Sequence, residues 1–243
     1  MSKPLMVHVI TNFAGVGGAE MMLARLIQCT EQQYKHVIIA LMKTSEVYQS
    51  TLDRCQAHYA LDWNGINTLG TVSKLRTLLK KLQPATVQCW MYHANVLTSL
   101  SIIGLAQKPK VVWGIHHSLA SPKDESISTK IALALSKILS QQASAIIYCA
   151  HSSMQQHQAF GFKNGNSQVI ANGVFLDKFQ PNLQLNQPTV IGFAGRYHPA
   201  KGYSYLFETM GLLKDKNIIF KVAGSGASLD NVEVKALFEQ YQL

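Results

Sequence analysis

Leu5-Met6-Val7-His8-Val9-Ile10-Thr11-Asn12-Phe13-Ala14-Gly15-Val16-Gly17-Gly18-Ala19-Glu20 carries a strand, a glycine turn and a helix start in one continuous stretch. The Val7-His8-Val9-Ile10 run does not alternate apolar with polar, so it reads as a strand covered on both faces. His8, inside that run, reads as a core histidine. Beyond the glycines, Met22, Leu23, Leu26 and Ile27 recur at helical spacing with one apolar stripe. Val37-Ile38-Ile39-Ala40-Leu41 repeats the doubly apolar strand pattern. Such strands, joined by amphipathic helices, build a parallel sheet with helices on both sides. The fold class is therefore a doubly wound α/β domain.

Working outward, strand-like runs are expected at 5–11, 36–42, 58–62, 86–91, 110–117, 145–150 and 168–171. Helical patterns fall between them at 19–32, 45–55, 68–83, 94–106, 124–142 and 151–160. Asn172-Gly173 closes this series, and the polar, aperiodic stretch from Asp177 to Pro188 reads as a linker. The alternation then restarts with a strand at 189–194, a helix at 200–214, a strand at 218–223 and a helix at 228–241. The expected division is residues 1–185, linker included, and residues 186–243.

Composition bounds the function. The chain has 243 residues, 47% hydrophobic and 14% charged, which suits a globular protein with a substantial core. No apolar run reaches the roughly 20 residues of a membrane-spanning helix. Cys29, Cys55, Cys89 and Cys149 are scattered without metal-ligand spacing. They read as reduced thiols in a cytoplasmic protein. Net charge is +9, of which +8 lies in residues 1–185. A basic first part suits a phosphorylated substrate or peripheral contact with the anionic inner face of a membrane. The chain lacks an aromatic-rich basic ribbon, a helix-turn-helix pattern and zinc spacing, so nucleic acid is not an expected partner.

Two places carry chemistry. After the first strand, Gly15, Gly17 and Gly18 sit where open α/β sheets bind ligands. The dinucleotide fingerprint fails, because Glu20 occupies the third glycine position and the second strand ends Leu41-Met42-Lys43-Thr44 without an acidic residue. In the second part, Ile191-Gly192-Phe193-Ala194-Gly195-Arg196 ends a strand in glycine and arginine, and Lys201-Gly202 follows at a helix start. The helix amides and dipole there favour an anion, and Arg196 and Lys201 add two cations. Ala223-Gly224-Ser225-Gly226 ends the next strand at the equivalent place. His93 and the His116-His117 pair fall at strand ends, which converge on one edge of such a sheet. The lysines of the helix at 124–142, Lys130 and Lys137, read first as a solvated face and second as a membrane-surface contact.

With these residues quoted, the chain resembles the family 4 glycosyltransferases of the GT-B fold. Four motifs in order carry the resemblance: Gly17-Gly18-Ala19-Glu20, Val169-Ile170-Ala171-Asn172-Gly173-Val174 with Asp177 and Phe179, Gly195-Arg196 with Lys201-Gly202, and Ala223-Gly224-Ser225-Gly226. The resemblance implies two Rossmann-like domains, with a nucleotide-diphosphate sugar held mainly by the second and a saccharide or lipid-linked acceptor by the first. It implies donor contacts from Gly17, Gly18, Arg196, Lys201 and Gly224, and a catalytic-site position for His116 against the sugar. It implies a retaining reaction of a hexose-type sugar in surface polysaccharide synthesis, without a metal or other cofactor. The family's pair of glutamates late in the second domain has no counterpart before Leu243. The second part has 58 residues where about 150 are expected of a domain. An incomplete, truncated second domain is therefore expected, with weak activity alone or a partner chain that completes it. Rival readings are a non-catalytic acceptor-binding module or half of a split enzyme, a nucleotide-sugar epimerase, and, weakest, a dinucleotide oxidoreductase.

Overall fold

The computed structural model describes residues 3–178 and 188–243. Two compact units divide the chain, Met1–Val174 and Phe175–Leu243. The boundary expected at 185/186 and the motif residue Phe179 lie outside the described residues.

The first unit is one parallel sheet in the order β3-β2-β1-β4-β5-β6-β7. Its strands are β1 Leu5–Ile10, β2 Lys35–Ala40, β3 Ala57–Ala60, β4 Thr86–Trp90, β5 Lys110–Ile115, β6 Ala145–Tyr148 and β7 Ser167–Val169. The helices are α1 Gly18–Thr30, α2 Gln49–Leu52, α3 Thr68–Leu82, α4 Tyr92–Ser101, α5 Ile127–Leu139 and α6 His151–Phe160. β1 lies between β2 and β4 with Val7 paired to both Val37 and Val87, as its doubly apolar sequence requires. Side chains alternate across the sheet. Val7, Val9, Val37, Ile39 and Trp113 therefore point into one buried cluster, which also holds Leu75 of α3 and Leu133 of α5. Ile10, Ile38, Ala40 and Trp90 point into the other, under Leu23 and Ile27 of α1. The sheet order reverses at β1/β4, so the loops after those two strands border the crevice where such sheets take ligands.

Two helical expectations are corrected locally. The run at 45–55 becomes a 3-10 turn, Glu46–Tyr48, followed by the single-turn α2. The run at 124–142 is cut to α5, because Ser126 Oγ accepts from Thr129 N at 3.3 Å and caps the helix at that point.

In the second unit β8 Thr189–Ala194 pairs in parallel with β9 Ile218–Ala223, and the helices are α7 Tyr203–Leu212 and α8 Val232–Gln240. Its core is small: Tyr203, Phe207 and Val234 are buried, with Phe193 and Val222 packed against them.

Candidate functional site

In the first unit the loop after β1 is tethered at its base. Phe13 N donates to Lys43 O at 2.8 Å, the Phe13 ring stacks on Tyr48 at 4.2 Å, and Tyr48 Oη donates to Gly15 O at 3.1 Å. Gly17 is extended, at φ −141°, and precedes α1 without any side-chain cap. A Cβ on Gly15 or Gly18 would meet nothing within 4 Å, and one on Gly17 would meet only the mobile end of Glu20. The fold itself therefore places no demand for glycine at these positions. What their bare backbone provides is an open approach to the first amides of α1.

His116 follows β5 on the same sheet edge. Its ring stacks on Trp90 with centroids 5.0 Å apart, and its Nδ1 lies 3.2 Å from Asn172 Oδ1. The Asn172-Gly173 turn is in turn held by Arg25 of α1, which donates to Gly173 O at 2.7 Å. Burial lowers the His116 pKa from its ordinary value, and the Asn172 contact opposes that only in part. A neutral imidazole donating from Nδ1 leaves Nε2 as an acceptor suited to a hydroxyl group. His117 is engaged elsewhere, with Nε2 2.6 Å from Glu125 Oε1 and its carbonyl accepting from Ser153 Oγ at 2.6 Å. His8 is fully buried and bonds His36 at 3.0 Å, while Trp90 Nε1 donates to His8 Nδ1 at 3.4 Å. The stack beneath His116 thus has its own anchor in the core, a connection that no sequence spacing displays.

His93 sits two residues beyond Met91, whose φ of +72° and ψ of 170° lie in a region that non-glycine residues avoid. That bend between β4 and α4 places the His93 ring 5.1 Å from Trp63, with Nε2 buried and unpartnered among the described residues. Burial lowers the His93 pKa as well.

In the second unit the two turns named in the sequence touch each other. Gly195 N donates to Ala223 O at 2.8 Å, and Tyr197 N donates to Ser225 O at 2.8 Å. A Cβ on Gly224 would collide with the Gly195 carbonyl, so only glycine lets these backbones approach so closely. Tyr203 Oη donates to Gly195 O at 2.6 Å from the first turn of α7. His198 Nδ1 accepts from Ala200 N at 3.2 Å, which shapes the turn carrying Lys201. Gly202, at φ +70°, starts α7 without a side-chain cap. Arg196 and Lys201 are exposed, and among the described residues neither is in an ion pair. Two cations and an uncapped helix start surround a locked double turn, and the field of such an arrangement favours negative charge.

The sequence profile of Glycosyltransferase Family 4 matches residues 16–178, more than half of the chain. The chain belongs to this family. No curated protein matches it in sequence. Among solved structures it is similar to Anabaena HepE in complex with UDP-glucose, with a TM-score of 0.76 and 16% identity over 98% of this chain and 66% of that one. It is similar to the lipopolysaccharide outer core galactosyltransferase WaaB, with a TM-score of 0.71 and 15% identity over 98% of this chain and 65% of that one. A Rickettsia africae glycosyltransferase aligns over 100% of this chain and 66% of its own, with a TM-score of 0.72 and 17% identity. At these identities the likeness is one of fold, the Rossmann-like GT-B arrangement. The chain spans about two thirds of the length of each of these structures.

The apolar face of α5 was missed. Ile131, Leu135 and Ile138 recur at helical spacing and invite an inward reading. In the structure the helix packs through Ala132, Leu133, Ser136 and Leu139, and Ile127, Ile131 and Ile138 are more than half exposed. The available signal was the Ala132 and Ser136 pair, small residues that let a helix sit close to its neighbour. No group of three or more metal-ligating side chains occurs, and no helix is long and apolar enough to cross a membrane, among the described residues.

Proposed function

We propose that this chain carries the donor site of a retaining, nucleotide-sugar-dependent glycosyltransferase that moves a hexose-type sugar to a saccharide or lipid-linked acceptor in surface polysaccharide synthesis. The locked pair of turns at Gly195 and Gly224 is the observation that carries this reading. Arg196 and Lys201 would neutralise the charge that develops on the diphosphate as it leaves, and the amides of α7 would add to that field. Gly17 and Gly18 would let donor oxygens reach the first amides of α1, and His116 would accept a bond from a sugar hydroxyl. Family membership and the UDP-glucose complex of the structurally similar HepE support a nucleoside-diphosphate donor.

Saturation-transfer NMR with UDP, and separately GDP, tests this on the full chain, because it reads weak binding. Signals from one nucleotide are expected. Loss of a charge-assisted contact costs about 1.5–3 kcal/mol. Arg196→Ala and Lys201→Ala should therefore each weaken binding by about 10-fold or more, and Gly224→Ala should abolish it by pushing the two turns apart. Silence with both nucleotides, or a double Arg196→Ala/Lys201→Ala variant that binds as before, would overturn the proposal.

A further inference from the structure

The face of the sheet under α1 carries nitrogen-bearing rings on three adjacent strands. By the two-residue period of a strand, His8 of β1 shares that face with Ile10, and His36 of β2 shares it with Ile38. Trp90, at the end of β4, lies in the same buried cluster. Both histidines are buried, and burial lowers the pKa of each, that of His8 to about 3. Two neutral imidazoles can bond to each other in either direction. Here the two ends of the chain decide it, and they agree. The Trp90 indole can only donate, and its Nε1 lies 3.4 Å from His8 Nδ1. His8 therefore carries its proton on Nε2, which donates to His36 Nδ1 at 3.0 Å. His36 Nε2 then donates to Thr30 Oγ1 at 3.1 Å, and that hydroxyl gives its own proton to Leu26 O at 2.5 Å. Each of the four imidazole nitrogens is used once.

Stability alone does not call for such a chain, because polar atoms are costly to bury and aliphatic side chains have none to satisfy. What a fully satisfied buried network supplies is a single orientation of its members. The member that reaches the site is Trp90, on whose indole the His116 ring lies with 16° between the planes. Gly114, in register with Trp90, leaves His116 Nε2 uncovered, since a Cβ there would lie against that nitrogen at 3.5 Å. The other support of the ring is Asn172, in the turn that Arg25 holds. Arg25 and Thr30 both belong to α1. We infer that His8, His36 and Trp90 are positioning residues for His116, a one-way hydrogen-bond chain that holds the indole platform and so aims Nε2 at the sugar. This rests on the reading of His116 as a sugar contact. It makes α1, whose first amides border the proposed donor site, the reference for both supports of that ring.

The test uses the full chain with isotope-labelled histidine, its signals assigned by single substitutions. Long-range proton–nitrogen correlations should show His8 and His36 protonated at Nε2 and His116 at Nδ1. The His116 ring protons should be shifted upfield by the indole beneath them. His8→Leu removes the donor and the acceptor at similar bulk, whereas His8→Gln keeps an amide donor and acceptor. The upfield shift should vanish in His8→Leu and persist in His8→Gln. Binding reads the consequence. The ratio of UDP-glucose affinity to UDP affinity should fall about fivefold in His116→Ala, the worth of one hydrogen bond. His8→Leu should lower that ratio by a similar factor, and the double variant His8→Leu/His116→Ala should lower it no further, because positioning acts only through that ring. A general loss of packing would instead add to the effect of His116→Ala. His8 protonated at Nδ1, an upfield shift that survives His8→Leu, or losses that add in the double variant would each overturn the inference. The tautomers are read in the unaltered protein, so they decide even if His8→Leu does not fold. Failure to bind either UDP or UDP-glucose would defeat the donor proposal, while the tautomers and the ring shift, which need no ligand, still uphold or overturn the positioning chain.

Discussion

In the first unit each βα turn stands on a seven-stranded sheet with helices packed on it and with buried clusters on both of its faces. In the second, the two turns stand on two strands whose other face is open, with Val190 and Ile219 39% and 46% exposed. Similar local sequence therefore acquires its rigidity by different means. Burial fixes the first set of turns. Direct main-chain contact between neighbours fixes the second, since Gly195 and Tyr197 bond across to Ala223 and Ser225. Glycine is consequently indispensable to the backbone at Gly224 and unnecessary to it at Gly17 and Gly18.

The largest effect should come from the core that only the first unit has. Trp113 is fully buried in the main cluster, and truncation of such a residue costs about 3–5 kcal/mol. All three tryptophans, Trp63, Trp90 and Trp113, lie in the first unit, so fluorescence during urea unfolding reports that unit alone. Trp113→Ala should lower the midpoint seen by the remaining tryptophans by that amount. Phe207→Ala, in the small core of the second unit, should shift the circular-dichroism transition and leave the fluorescence midpoint in place. If Phe207→Ala moves the fluorescence midpoint as well, the two units do not melt separately and the comparison fails.

A smaller effect separates the units by pH. Burial, and secondarily the charge of His36, lowers the His8 pKa from 6.5 to about 3. Between those two values the unfolded chain binds a proton that the folded chain refuses, so stability is intact above about pH 6.5 and falls as the pH drops toward 3. For His8 alone the loss between pH 7 and pH 5 is about 2 kcal/mol. His36, His93, His116 and His157 are lowered in the same direction, and all lie in the first unit. Acid should therefore lower the fluorescence midpoint first, and His8→Gln should flatten that pH dependence even as it weakens the protein at pH 7. A midpoint that does not move between pH 7 and pH 5 would mean that the histidines gain protons without strain.

The sheet was legible because its central strands are apolar on both faces, a pattern that helices and half-exposed strands do not produce. The turns were legible for a related reason: Gly195-Arg196 and Gly224 stand at strand ends, where chain direction and ligand position coincide. What was not legible depends on contacts distant in sequence. His116 and His117 are neighbours with the same chemistry, and only Trp90, Asn172 and Glu125 give them different surroundings. Helix α5 seats Ala132 and Ser136 inward and leaves Ile131 and Ile138 more than half exposed, a choice that helical periodicity alone does not make. The positive φ of Met91 has no sequence signal, since methionine is an unlikely residue for that conformation.

The smallest expected effect is the sharpest on the role of the first glycine turn. Gly18 is the first residue of α1, and a methyl group there would meet nothing within 4 Å. Alanine restricts the unfolded chain and favours the helix, so Gly18→Ala should raise the fluorescence midpoint by about 0.5 kcal/mol. Should UDP or its sugar conjugate approach the amides of α1, the same methyl group would stand in its path and lower affinity several-fold. Stability and binding then move in opposite directions, which a purely structural glycine does not produce. A variant that is less stable would show that the turn needs glycine for its own backbone. A variant that is more stable and binds as well as before would remove this loop from the donor site and leave Arg196, Lys201, Gly224 and His116 as its remaining named contacts.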